Sequence, residues 1–273
     1  MRDGFIQLTQ KNVADADHPD NDQARSEIFH RTAEFAISIL TTVTTLVTFP
    51  VLASIIGAVA AVVRTPSAAV VSGIQHFAAG VVMAAVAGEV LPELRAKAPL
   101  GLIILGFSVG VALLVLMRQF AGDEESAEDA PPVGFLAVVS VDLFIDGLLV
   151  ATGAAASRRT AVIITIALTV EVLFLGVSVA LRLAGSGVPK VRAALTTSGV
   201  SLMIAVGGVL GALLLHGAGN SVLSLVLAFA AAALLWLVVE ELLVEAHETP
   251  ERPWMAVMFF SGFLTLYCLG VLE

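Results

Sequence analysis

The chain has 273 residues, of which 58% are hydrophobic and only 14% charged, and its mean hydropathy is +0.96. Soluble domains carry about 25% charged residues, so this composition cannot cover a water-exposed surface, and the apolar excess is read as lipid-facing. A net charge of −9 argues against nucleic acid as a partner.

The first 33 residues are polar and irregular, with KNVADADHPDNDQARSE at 11–27. They lack the basic segment followed by an apolar one that a signal peptide needs. They are read as an exposed tail, with helix setting in from about Asn21, and His18 with its neighbouring aspartates is taken as solvated. Residues 34–273 then form one transmembrane domain. Eight stretches reach the roughly 20 apolar residues that a spanning helix needs: 34–63, 66–93, 100–120, 133–156, 160–183, 193–216, 219–245 and 254–272. Turn chemistry separates them. Arg64-Thr65-Pro66 divides the first two, Lys97-Ala98-Pro99 precedes the third, and GSGVPKVR, GAGN and HETPERP mark later breaks. Pro50 predicts a kink in the first span. The acidic run Asp123 to Asp129 is expected to be a solvated loop. The lone Cys268 is read as a small buried hydrophobe. Basic residues divide too evenly between the two sides to fix orientation.

Three acids stand where lipid should exclude them. Asp142 and Asp146 flank the centre of the fourth span, and Glu171 is central in the fifth. An acid at the bilayer centre costs roughly 2.5–3.5 kcal/mol, so three cost about 8–10 kcal/mol if nothing compensates them. That rivals the whole stability of an ordinary domain. Asp142 and Asp146, four apart, share one helix face. A divalent cation would neutralise both; protonation of one carboxyl is the alternative. The motif DLFIDG (142–147) is echoed by EVLFLG (171–176), each opening with an acid and closing with glycine. Adjacent spans run in opposite directions, so an inverted-repeat core with a midplane site is expected, with the fourth and fifth helices joined where Gly147 and Gly176 permit close approach.

Other acids lie nearer span ends. Glu93, Glu245 and Glu248 read as an interfacial acidic cap, whereas Glu89, Glu240 and Glu241 lie one to two turns inside and are candidates to line a cation route. His76 and His216 read as interfacial residues. The threonines 41, 42, 44, 45 and 48 of the first span either line a polar cavity or bond their own backbone, the commoner case.

With these motifs in view, the chain resembles the ZIP (Zrt/Irt-like) family of divalent-metal transporters over about residues 34–273. The second span, HFAAGVVMAAVAGEVLPEL, is similar to that family's second helix, with an acid or His before Leu-Pro-Glu. DLFIDG stands where the family's fourth helix has His-Asn-x-Pro-Glu-Gly, EVLFLG where its fifth has a His-Glu-x-Pro-Glu-Gly-like motif, and Glu240-Glu241 where its seventh has a His-Glu pair. Asp142 replaces the family's His, Leu143 its Asn and Ile145 its Pro, while Val172 and Leu175 remove ligands and Phe174 the second Pro. The family's binuclear centre is therefore not intact. The resemblance implies one metal site from Asp142, Asp146 and Glu171, joined by Glu241, Glu89 or Glu240. It also implies an all-α ZIP-like bundle in which helices one, four, five and six move as a body and carry the ion.

The expected function is a permease for a divalent cation of the zinc, manganese or iron class in a prokaryotic cytoplasmic membrane. The ion is substrate, and no cofactor is expected. The lipid bilayer is the other partner, and a homodimer is left open. Without intramembrane His, the ligands are all oxygen, which suits Mn²⁺, Mg²⁺ or Ca²⁺ better than Zn²⁺. The alternative is a proton- or sodium-coupled carrier of another substrate, or a ZIP-like paralogue without metal transport. An enzyme is not expected: neither His-Glu-x-x-His nor a phosphate loop is present.

Overall fold

The computed structural model describes residues 19–125, 133–215, 218–250 and 252–272. Among them the chain is helical, with no strand. Eight helices are long and apolar enough to cross a membrane. They are α1 (Pro19–Val63), α2 (Ala68–Lys97), α3 (Leu100–Glu125), α4 (Val133–Ala156), α5 (Arg158–Gly185), α6 (Lys190–Leu215), α7 (Asn220–His247) and α8 (Pro253–Leu272). Each covers one expected span, so the chain is an all-α polytopic membrane protein.

Helix α1 starts inside the polar tail, at Pro19, and runs unbroken past Pro50. Residues 1–18, His18 among them, and His216 lie outside the described residues. Helix α3 continues through Asp123, Glu124 and Glu125, which corrects the loop expected there. Once a long helix is nucleated, each further residue adds a hydrogen bond at little cost; residues 126–132 lie outside the described residues. The breaks follow local chemistry. Ser157 caps α5 by accepting a hydrogen bond from the Thr160 amide at 3.0 Å. Gly187, at φ +86°, ends α5, with the amides of Gly187 and Val188 donating back to the Ala184 and Leu183 carbonyls. That left-handed turn favours glycine.

Helix pairing is the main architectural fact. The most extensive pairs are α1 with α5, α4 with α6, α2 with α8 and α3 with α7. Helices α4 and α5 also pack on each other, as do α1 and α6, while α2 meets α5 and α7 meets α4. Helices α1, α4, α5 and α6 thus group together, and α2, α3, α7 and α8 form the other group. Helices α3 and α8 bury only 17% and 22% of their most apolar windows, against 67% for α2, so they form the apolar rim.

Three of these pairs are locked by reciprocal glycines. On α1 and α5, Gly57 seats on the Leu173 carbonyl and Gly176 on that of Ser54. Between α4 and α6, Gly147 seats on the Ile204 carbonyl and Gly207 on that of Phe144. Across α2 and α8, Gly80 seats on Phe259 and Gly262 on Phe77. Backbones this close leave no room for a side chain, which is how helices associate where lipid supplies no hydrophobic drive. Gly147 and Gly176 were expected to join α4 to α5. They instead turn to opposite partners, because each lies one position beyond a residue that faces the α4–α5 seam.

The α4–α6 lock can be tested by thermal melting in detergent. Gly147→Ala and Gly207→Ala each introduce a methyl where backbone already stands, and should destabilise by about 1–3 kcal/mol. Gly101→Ala, at an open position on α3 with nothing within 4 Å, should leave the melting temperature unchanged or slightly higher. Equal behaviour of all three variants would refute the lock.

Candidate cation site

The fourth and fifth helices bring three of the expected acids together. Asp142 and Asp146 are successive turns of one α4 face, and Glu171 projects from α5 against them. One carboxylate oxygen from each lies within 4.8 Å of the others. Asp146 is 2% exposed and Glu171 1%, while Asp142 is only partly buried. Asp146 Oδ2 and Glu171 Oε2 are buried with no hydrogen-bond partner. Buried polar atoms are otherwise nearly always paired, so these two have capacity left for a proton or a ligand.

The charged neighbours of the cluster are also acids. Asp146 feels Asp142 and Glu241, and Glu171 feels Asp146, Asp142, Glu241 and Glu245. At an effective dielectric near 20, each fully ionised pair at 4.8 Å repels by roughly 3 kcal/mol. Protons or a cation among the carboxylates would relieve that repulsion. Three carboxylate oxygens this close could hold a metal ion, with the hard oxygen ligands that divalent cations such as Mg²⁺ or Ca²⁺ take.

The remaining expected acids have other partners. Glu89 is ion-paired with Arg159 at 3.0 Å, where the guanidinium also donates to the Gly270 carbonyl at the end of α8. Glu240 pairs with Arg118, whose guanidinium also lies over the Trp236 ring. Neither belongs to the three-carboxylate group. Glu241 is intermediate: it lies within electrostatic reach of Asp142, Glu245 and Arg118. Glu93 pairs with Lys97 at 2.5 Å, as an interfacial residue does. Glu245 is more than a cap. It accepts hydrogen bonds from Gln75 at 2.5 Å and from Ser178, with Arg182 and Glu248 nearby. Acids 241, 245 and 248 thus form a ladder along α7 from the cluster toward the helix end.

Several features escaped the sequence reading. Helices α2 and α7 each carry a π-helical segment, Val86–Val90 and Leu237–Leu242. These place Glu89 and both Glu240 and Glu241, and such bulges commonly occur at functional sites. A signal existed. Phe-Ala-Ala at 77–79 and at 229–231 is followed at equal spacing by Glu89 and Glu241, Leu91 and Leu243, and Glu93 and Glu245. Gln75 and Ser178 had no such signal. Of the threonines of α1, 44, 45 and 48 bond their own backbone and face outward. Cys268 is exposed on α8, not buried, because α8 is peripheral. The letters Gly106-Phe-Ser-Val-Gly110 match a nucleophile elbow, yet they lie inside α3 without the strand-to-helix turn that such an elbow needs.

No family model matches this chain, and no curated protein matches it.

Relief of like charge gives a direct test on the ion-free protein. Asp146→Asn removes one ionisable carboxyl at nearly constant volume. Its melting temperature should exceed that of the parent at alkaline pH, by an amount equivalent to about 1–3 kcal/mol, and the gap should close as acid protonates the carboxyls. A gap that is independent of pH would show that charge is not its cause.

Proposed function

We propose that this protein is a permease for a divalent metal cation, with Asp142, Asp146 and Glu171 as the midplane binding site. The observation that carries this reading is the pair of unpartnered carboxylate oxygens, Asp146 Oδ2 and Glu171 Oε2, within a cluster of three acids of which these two are buried and Asp142 is partly buried. Intramembrane ionisable groups mark ion pathways by default, and here the acids on α7 extend the cluster toward one helix end. Glu241 is the natural fourth ligand. Glu89 and Glu240, each held by an arginine, flank the route in this reading. An all-oxygen set favours a hard ion such as Mn²⁺ within the zinc, manganese and iron class.

The helix contacts support a ZIP-like inverted repeat. Exchanging α1 with α6, α2 with α7, α3 with α8 and α4 with α5 turns every main contact pair into another main pair. The repeated Phe-Ala-Ala and Glu-x-Leu-x-Glu spacings, and the π-segments of α2 and α7, obey the same exchange. In such a core, α1, α4, α5 and α6 rock against the other four helices and carry the ion. A prokaryotic cytoplasmic membrane is the setting of this reading, with homodimerisation open.

One observation favours a second reading. Leu143 and Val172 are buried and Leu175 half-buried, so aliphatic side chains stand where a two-metal pathway would have ligands. A proton- or sodium-coupled carrier, or a ZIP-like paralogue without metal transport, would use the same carboxylates to hold a proton or a monovalent ion.

Flux in proteoliposomes separates the readings. Asp146→Asn should abolish Mn²⁺ uptake while the protein still inserts and melts cooperatively, and Glu93→Gln should change uptake little. Normal Mn²⁺ flux in Asp146→Asn removes the midplane acids from the transport site. Calorimetric titration gives an independent check. Carboxylates ligate metal only when ionised, so Mn²⁺ affinity should fall as pH is lowered; affinity that ignores pH contradicts coordination by the cluster.

A further inference from the structure

At the end of α7, away from the carboxylate cluster, two histidines meet across a cavity. His76 on α2 and His247 on α7 have ring centroids 5.3 Å apart, with planes tilted by 50°. Both line a cavity of about 470 Å³, together with Met255, Phe259, Phe260 and Arg252. His76 is only 6% exposed.

Each ring is held in the same way. His76 Nδ1 lies 2.8 Å from the Ser72 carbonyl, and His247 Nδ1 contacts the Leu243 carbonyl, in each case four residues back. A carbonyl can only accept, so Nδ1 donates in both rings, and a neutral ring held this way offers its lone pair at Nε2. A backbone carbonyl orienting one ring nitrogen while the other meets a metal is the usual second-shell arrangement of histidine ligands. The spacing agrees. A tetrahedral ion about 2.0–2.1 Å from two Nε2 atoms places the ring centroids about 5 Å apart.

We propose that His76 and His247 form a binding site for a late first-row transition cation such as Zn²⁺, Ni²⁺ or Cu²⁺, separate from the carboxylate cluster and different from it in chemistry. Two imidazoles select borderline ions that an all-oxygen site ranks poorly. The cavity leaves room for water in the remaining positions. Arg252, on the exposed rim, opposes a cation, and Glu245 and Glu248 on the same helix end offset it. His247 also has a further partner in the structure, with which a bound ion would compete.

The test uses the full-length chain in detergent, free of any purification tag, with His18, His30 and His216 replaced by Ala to silence the other histidines. Cu²⁺ is the probe, read by electron paramagnetic resonance. Nitrogen coupling to the bound copper is expected, which carboxylates cannot produce. His76→Gln and His247→Gln should each reduce that coupling from two nitrogens to at most one and weaken Cu²⁺ binding by roughly tenfold or more, while both variants keep the parent's melting profile. Asp146→Asn should leave the signal intact, so loss of the midplane reading and loss of this one are distinguishable. Coupling that survives in His76→Gln/His247→Gln overturns the proposal. So does a parent without nitrogen coupling that is instead stabilised by anionic lipid through Arg252, which would make the cavity a headgroup pocket.

Discussion

Three carboxylates packed within 4.8 Å of one another in an apolar helix bundle form the constraint on which the rest of this structure depends. Their mutual repulsion and desolvation oppose folding, and among the described residues no lysine or arginine figures among the charges that act on Asp146 or Glu171. The fold therefore cannot be indifferent to what sits between them. Protons or a cation among them would relieve that opposition.

The glycine locks explain how the acids are kept in register despite repelling. Gly147 follows Asp146 directly and presses α4 onto the α6 backbone, while Gly176 presses α5 onto α1. Each acid-bearing helix is thus anchored from behind by its own partner. The seam between α4 and α5 needs less direct packing and can tolerate charge. Backbone contact of this kind is stiff, since no side chain can rotate to absorb strain.

At either end of that seam the polar contacts cross between the two helix groups. Arg159 of α5 holds Glu89 of α2, and Ser178 of α5 holds Glu245 of α7. Both acids are carried by helices with a π-segment, whose irregular ladder re-aims side chains that a straight helix would leave elsewhere. The two ends differ in chemistry: one is a guanidinium pair capping the α8 terminus, the other a carboxylate network beside two imidazoles.

Hydropathy and length alone determined the eight helices and their breaks, because twenty apolar residues between prolines, glycines and charges have one stable form in lipid. The three central acids were also legible. The charge of Asp142, Asp146 and Glu171 violates the apolar pattern at one depth, and depth follows from counting residues along a helix. Partner choice was not legible. A glycine announces that some backbone approaches it, not which one, so Gly147 and Gly176 were assigned to each other when tertiary packing gave them to α6 and α1. The same limit applied to Glu89 and Glu240, whose arginines come from α5 and α3, and to Glu245, whose partners Gln75 and Ser178 lie on α2 and α5. Such pairings depend on azimuth and crossing geometry between helices distant in sequence, and the π-segments shift that azimuth part-way along α2 and α7. Only the packed bundle fixes them, which is also why His76 and His247, two unremarkable residues in the sequence, face each other in the fold.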